Sequence, residues 1–368
     1  MKPIKLIIKT KSEKYPILIG SNFVAQTSKI LKKNLADFNN CLLVIDKKVP
    51  TKMINKIIKS IKKKKIFRYS FSANEKNKNQ KIVNDIINIL LNKNFSRNDC
   101  LIAIGGGITG DVAGFAASIF KRGIQFVNIP TTLLAQVDSS IGGKTGVNTQ
   151  YGKNLIGSFY QPKLVISDSQ FLDTLNNREI VCGYGEILKH SLLVNKKFYN
   201  FLNKNALKII KLKSPFIEKA IYESCKIKKY VVERDENEKG NRKVLNLGHT
   251  FAHAYEATLG FSKKLNHGEA VILGIQSALR FSLKRKKFKK KDYVSIINHI
   301  NRAGLPSKVS KYFSIKNLGK IIYFMTKDKK NYSSKINLIL LRNIGSPEID
   351  NQFSINAIKT FMKNELKN

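Results

Sequence analysis

The sequence predicts a chain in two parts, an α/β domain built on a parallel sheet over residues 1–174 and a helical domain over residues 175–368. Three observations carry this reading. Early in the chain, short runs of β-formers alternate with segments of helical apolar spacing, the pattern of a parallel sheet covered by helices. At residues 101–115 one such run stops at Gly105, Gly106 and Gly107, and small residues follow. From about residue 175 to the end, the apolar stripes have helical spacing.

Taken in order, residues 6–8, 17–19, 42–45 and 66–71 read as strands, and 23–35, 53–61 and 82–91 as helices between them. The apolar run 101–104 is the next strand, with a helix expected behind Gly110, and residues 125–129 are another strand. A polar, glycine-rich stretch then runs from Pro130 to Gly157. The helical stripes fall at 184–202, 215–232, 250–259, 268–283 and 292–300, with a solvated Lys-rich patch at 284–291. The last sixty residues carry the weakest pattern.

Charge is the loudest compositional feature, with 67 Lys and Arg against 25 Asp and Glu, a formal net charge of +42. Only ten of the basic residues are Arg, the side chain suited to bidentate base readout. The lysines are spread from end to end among Asn and Ile, as drift toward A/T-rich codons would leave them at solvated positions. Weak nonspecific polyanion binding is expected, but no dedicated nucleic-acid function. No apolar run spans a bilayer, so no membrane partner is expected. Cys41, Cys100, Cys182 and Cys225 lie far apart and read as reduced thiols of a cytoplasmic protein.

Gly105, Gly107 and Gly110 have the G-x-G-x-x-G spacing between a strand and a helix, where backbone N–H groups can cradle a pyrophosphate. Asp111 is placed in the first turn of that helix, at its positive end. A plain glycine-rich turn meets the same spacing. Asp46, just past a strand, suits a ribose diol or equally a helix cap. Lys144, Lys153 and Asn154 lie among glycines and supply donors for anionic oxygens. Gly143, Lys144 and Thr145 lack the preceding glycine of a P-loop, which excludes that nucleotide-hydrolase motif. His249 and His253 share one helix face, and Thr250 stands where a zinc protease needs glutamate. Glu186, His249 and His267 would make a three-ligand metal site with an open position, or else buried core residues.

Together these stretches resemble the 3-dehydroquinate synthase family of sugar phosphate cyclases, from about residue 40 to 330. The likeness is strongest at 105–114, 130–162, 183–189, 244–253 and 267–271. The resemblance implies a Rossmann-like N-terminal domain, a helical metal-binding C-terminal domain, an active site in the cleft between them, tightly held NAD and one divalent metal, zinc or cobalt. It implies metal ligands Glu186, His249 and His267. NAD contacts fall on Asp46, Glu75, Lys78, Gly105, Gly106, Gly107, Ile108, Thr109, Gly110, Asp111, Thr131, Thr132, Lys144, Lys153, Phe171, Leu172, Asp173 and Thr174. Catalytic roles fall on Asp138, Lys144, Lys189 and His253, and substrate contacts on Lys153, Asn154, Lys228, Arg242 and Asn246, with Arg122 reaching in from a neighbouring subunit of a homodimer. One of Lys329 and Lys330 joins them. Where the family has Asp-Gly-Glu-x-x-Lys, this chain has Ala73, Asn74, Glu75 and Lys78, so the first two residues depart.

The implied activity is a phosphorus–oxygen lyase of the shikimate pathway, leading to chorismate and the aromatic amino acids. It converts 3-deoxy-D-arabino-heptulosonate 7-phosphate to 3-dehydroquinate by transient oxidation, phosphate elimination, re-reduction, ring opening and aldol closure. A polyol dehydrogenase would leave Lys153, Asn154, Lys228 and Arg242 unexplained, and a cyclase acting on another ketose phosphate would not need Lys228 and Arg242 for a carboxylate.

Overall fold

The computed structural model describes residues 3–327 and 335–367, so Lys329 and Lys330 lie outside the described residues. The chain forms two compact units, residues 1–180 with 217–237 and residues 181–216 with 238–368.

The first unit is a seven-stranded sheet flanked by helices. Its strands are β1 (Ile4–Lys9), β2 (Lys14–Gly20), β3 (Asn40–Asp46), β4 (Lys65–Phe71), β5 (Cys100–Gly105), β6 (Gln125–Pro130) and β9 (Leu164–Asp168), in the order β1-β2-β9-β6-β5-β3-β4. β7 (Lys144–Thr149) and β8 (Gly152–Phe159) form a separate antiparallel hairpin. The helices of this unit include α1 (Thr27–Asn34), α2 (Thr51–Ser60), α3 (Gln80–Asn92) and α4 (Gly107–Ile119). Strand alternation divides the core. Leu43, Ile45, Ile102 and Ile104 face Met53 and Ile57 of α2, whereas Leu42, Val44, Leu101 and Ala103 face Val83, Ile86, Val112 and Ala113 of α3 and α4. Both faces are buried, so these strands read as continuous apolar runs. The sheet is not wholly parallel: β1 pairs antiparallel with β2 because the four residues 10–13 between them permit only a hairpin.

The second unit holds α6 (Lys196–Ile210), α8 (His249–Thr258), α9 (His267–Lys284), α10 (Lys290–Arg302), α11 (Leu318–Thr326) and α12 (Ile355–Glu365). α5 (Asn177–Val194) crosses from one unit to the other at residue 180, and α7 (Phe216–Arg234) belongs to the first unit almost entirely. The expected single cut after residue 174 therefore differs from this division. Three contacts tie α7 to the sheet unit: Ser169 Oγ donates to Glu218, Cys225 Sγ to the Gln136 carbonyl, and Lys228 Nζ to Asp138.

Nor is the second half helical to its end. β10 (Lys335–Asn343) and β11 (Ser346–Ser354) form an antiparallel hairpin, in which Ile336, Leu338, Leu340 and Phe353 are buried. Asn266 and Glu269 close a capping box at the start of α9, a device worth about 1 kcal/mol.

Candidate active site

The glycine turn lies at the C-terminal end of β5, where parallel sheets present ligand sites. α4 begins at Gly107, three residues earlier than the sequence suggests, so Gly107 and Gly110 are already helical. Its N-cap is Gly106, which offers no side-chain acceptor to the N–H groups of the first turn. Asp111 accordingly sits in the second turn. It is held by Lys78, whose Nζ lies 2.5 Å from Asp111 Oδ2. Burial pushes the Asp111 carboxyl above the usual range, against the attraction of Lys78. Thr109 is buried within the helix, Ile108 beside it is half-buried, and the Thr131 N–H donates to the Gly105 carbonyl at 2.9 Å. Thr132 Oγ1 accepts from the Ala135 N–H at 3.2 Å.

Asp46 is not a helix cap, because α2 starts later, behind Pro50. Its Oδ1 instead accepts from the Lys48 N–H at 3.1 Å. The altered loop still presents Glu75 and Lys78. Glu75 pairs with Lys153 at 3.1 Å, and Lys78 Nζ donates to Asn154 Oδ1 at 2.5 Å. Asp138 lies in a π-helical turn, Ala135–Ser139, and is bound by Lys228 through both its carbonyl, at 2.5 Å, and its carboxylate, at 2.7 Å. Lys144 opens β7 and is exposed. In the turn Ser169–Thr174, Phe171 and Leu172 are wholly buried, so their side chains belong to the core and only their backbone can meet a ligand; Asp173 and Thr174 are exposed. Arg122 follows α4 in a tight turn where Lys121 and Arg122 both take left-handed φ, 46° and 62°.

In the second unit three side chains converge. Glu186 Oε1 lies 3.7 Å from His249 Nε2 and 3.8 Å from His267 Nε2. Glycines set this approach. A Cβ on Gly268 would stand 2.1 Å from the Cys182 carbonyl, so only glycine lets the start of α9 reach α5. Likewise a Cβ on Gly274 would meet the Gly248 carbonyl at 2.2 Å, which keeps His249 at the head of α8 close to α9. Each of these two imidazoles is oriented from its far nitrogen. His249 Nδ1 lies 3.3 Å from the Leu247 carbonyl, and His267 Nδ1 lies 3.0 Å from Glu256 Oε2. Burial, Lys189 and the neighbouring imidazoles drive the His249 pKa well below its ordinary value. Burial also opposes charge on His267, but the Glu256 and Glu186 carboxylates outweigh it and raise that pKa to about 9. Glu186 is buried with Lys189, which pairs with its Oε2 from one turn along the helix. Oε1 has no hydrogen-bond donor among the described residues.

His253 is exposed one turn after His249, its ring centroid 5.4 Å from that of His249 and 6.2 Å from that of His267. Arg242 is buried in the turn Asn241–Asn246, and Asn246 Nδ2 donates to the Lys243 carbonyl at 2.9 Å. Sequence reasoning missed Glu256. Its signal was present, since it lies one helical turn beyond His253 and two beyond His249 on the same helix.

A glycine-turn parallel sheet and a helical unit carrying a carboxylate with two imidazoles together define a class, the fold shared by sugar phosphate cyclases and polyol dehydrogenases. 2-Deoxy-scyllo-inosose synthase, solved with carbaglucose-6-phosphate, NAD+ and Co2+, matches with a TM-score of 0.87 at 24% identity, over 98% of this chain and 100% of that one. Glycerol dehydrogenase from Schizosaccharomyces pombe matches less well, with a TM-score of 0.68 at 16% identity over 95% of this chain and 88% of that one. Sequence narrows the class. Family profiles described as 3-dehydroquinate synthase N-terminal and C-terminal match residues 68–182 and 183–331. The 3-dehydroquinate synthase of Pelagibacter ubique (strain HTCC1062) is 63% identical over 363 residues, 99% of both chains. That of Alkaliphilus metalliredigens (strain QYMF) is 39% identical over 342 residues, 93% of this chain and 94% of that one. The chain belongs to the 3-dehydroquinate synthase family, lyases of the shikimate pathway that act on a sugar phosphate.

Proposed function

We propose that the chain turns 3-deoxy-D-arabino-heptulosonate 7-phosphate into 3-dehydroquinate and phosphate, holding NAD at the glycine turn and one divalent ion, zinc or cobalt, on Glu186, His249 and His267. One observation carries the metal assignment: the buried Glu186 Oε1 lacks a hydrogen-bond donor among the described residues and faces two Nε2 atoms at 3.7 and 3.8 Å. Those separations are too long for hydrogen bonds and suit ligands sharing one tetrahedral ion with bonds of about 2.0–2.2 Å. The donor set is that of a catalytic site, which keeps a position open for substrate. The uncapped N-terminus of α4 fits a pyrophosphate in the same way. When bound, the ion supplies Lewis acidity to substrate hydroxyl oxygens, and NAD accepts a hydride and gives it back.

The chain's own residues do the rest. Asp46 is placed to accept from a ribose, with Glu75, Lys78, Thr131, Thr132 and the turn Ser169–Thr174 around the nucleotide. Lys153 and Asn154 anchor the substrate's phosphate, while Lys228 and Arg242 hold its carboxylate and Asn246 a hydroxyl. Lys189 and Lys144 balance the charge of oxygens that lose protons, Asp138 orients Lys228, and His253 relays a proton to the departing phosphate.

The reading includes a homodimer in which Arg122 serves the phosphate site of a second copy. Exposed apolar side chains lie at the end of α4, on Ile119, and along β8, on Leu155, Ile156 and Phe159, each between 44% and 46% exposed, and Arg122 follows in the turn after α4. Ser158 Oγ donates to Ser118 Oγ at 2.8 Å and so fixes β8 against the end of α4. The buried cysteines Cys41, Cys100 and Cys225 and half-buried Cys182 carry no disulfide, which suits the cytoplasm. Among the described residues no helix is long and apolar enough to cross a membrane. We assign no membrane or specific nucleic-acid partner. Phosphate release from the heptulosonate tests the reading: it should need both NAD and the divalent ion, and release that persists without either would overturn it.

A further inference from the structure

We infer that Asn148 is a positioning residue that registers the cofactor-side loop, residues 72–79, against the hairpin that carries Lys153 and Asn154. The inference rests on the proposed assignment of NAD to Glu75 and Lys78 and of substrate to Lys153 and Asn154.

The backbone singles this residue out. In the β7–β8 hairpin, Val147 pairs with Ile156 and Thr149 with Gly152, and the register shifts between them. Asn148 sits at that irregularity, outside the ladder. The extra residues are on β8, where 153–155 stand opposite the single residue Asn148, and such a bulge breaks the ladder at Asn148. Its N–H, freed from β8, donates to the Lys78 carbonyl at 2.7 Å. Its side-chain amide works from both ends. Nδ2 donates to Glu75 twice, to the carbonyl at 3.1 Å and to Oε2 at 2.8 Å. Oδ1 accepts the Asn154 N–H at 3.1 Å.

That last contact supports an unusual conformation, because Asn154 has φ of 54°, in the left-handed region. The turn so formed sends Lys153 to Glu75 and the Asn154 amide oxygen to Lys78. Glu75 is held below the usual carboxylate range although burial works the other way, because Lys153, Asn148 and Lys78 all favour its charged form. One half-buried asparagine therefore bonds to Glu75, Lys78 and Asn154, and through Glu75 reaches Lys153, residues that the proposed function divides between two ligands. The loop is fixed from across the hairpin by Asn148, and from within by Asn77, whose Nδ2 donates to the Ser72 carbonyl at 2.8 Å.

Asn148→Ala removes both side-chain ends, and Asn148→Asp keeps the acceptor for Asn154 but sets a second carboxylate against Glu75. Binding of NAD to the full-length chain is read by calorimetry, since the sequence has no Trp to report it. Steady-state KM and kcat for the heptulosonate are measured with NAD saturating, and all assays run well below each variant's melting temperature. For Asn148→Ala, NAD affinity should fall about tenfold and KM rise about tenfold while kcat moves less than threefold. For Asn148→Asp, NAD affinity should fall at least as far, with KM nearer the unmodified protein's. A purely structural role would lower the melting temperature and leave affinity and KM unchanged, and that result, in whichever variant folds, overturns the inference. Failure of the unmodified chain to bind NAD would instead overturn the proposed function.

Discussion

Replacing Glu256 isolates what orients His267, one of the three proposed metal ligands. Its Oε2 lies 3.0 Å from His267 Nδ1. The Glu256 side chain is 11% exposed, so its field on the ring is little screened. The hydrogen bond fixes the ring with Nε2 toward Glu186, and its charge makes that nitrogen a better donor to a cation. Glu256→Gln keeps an oxygen that can accept from Nδ1 but deletes the charge, so divalent-ion affinity should fall about tenfold, roughly 1.4 kcal/mol. Glu256→Ala also leaves Nδ1 without its acceptor inside the fold, so the loss should approach a hundredfold, roughly 2.7 kcal/mol. Competition with a chromophoric chelator on metal-stripped protein measures both. Unchanged affinity in two folded variants, or a larger loss for Gln than for Ala, would refute the reasoning.

Other outcomes follow from the same geometry. Glu186→Ala and His267→Ala should each lose bound metal and turnover together, while His253→Ala should keep the metal, measured by atomic emission, and lose most turnover. His299, buried with its Nε2 2.7 Å from the Tyr184 hydroxyl, has its pKa lowered to about 4 by burial and Arg302. Its folded pKa lies below the unfolded value of about 6.5, so this contribution is intact above pH 6.5 and is lost as pH falls toward 4. The shift corresponds to about 3 kcal/mol, and urea melts of His299→Gln should show a correspondingly flatter acid limb than those of the unmodified protein. Mixing inactive Arg122→Ala chains with inactive Glu186→Ala chains should restore some turnover, because one site of a mixed dimer has both its metal ligands and its borrowed arginine. Mixed dimers seen by native mass spectrometry without turnover would refute the exchange.

Much of this was legible in the sequence because its signals are local. The run from Leu101 to Gly107 shows a strand, a stop and a helix start within a few residues, and β5 and α4 follow it with a shift of one turn at the helix start. His249 and His253 declare their shared face by spacing alone. The rest depends on contacts distant in sequence. That α7 joins the sheet unit follows from Lys228 meeting Asp138, 90 residues away, and Cys225 meeting Gln136, 89 residues away. The hairpin β10–β11 was hidden because β11 offers only Pro347, Ile349 and Phe353 as apolar residues among Ser, Glu, Asp, Asn and Gln. Convergence of Glu186 with His267 rests on a bare Gly268 against Cys182, a packing fact no periodicity reports. Asn148 looked like one polar residue among many until the bulge showed where its hydrogen bonds go.

In the proposed reaction NAD is cycled and not consumed. With the heptulosonate substrate, NAD and zinc present, phosphate release and absorbance of reduced NAD are followed in one cuvette. Many phosphates should be released per chain while the absorbance stays flat. Reduced NAD accumulating in step with substrate lost, with no phosphate released, would contradict it and leave a simple dehydrogenase.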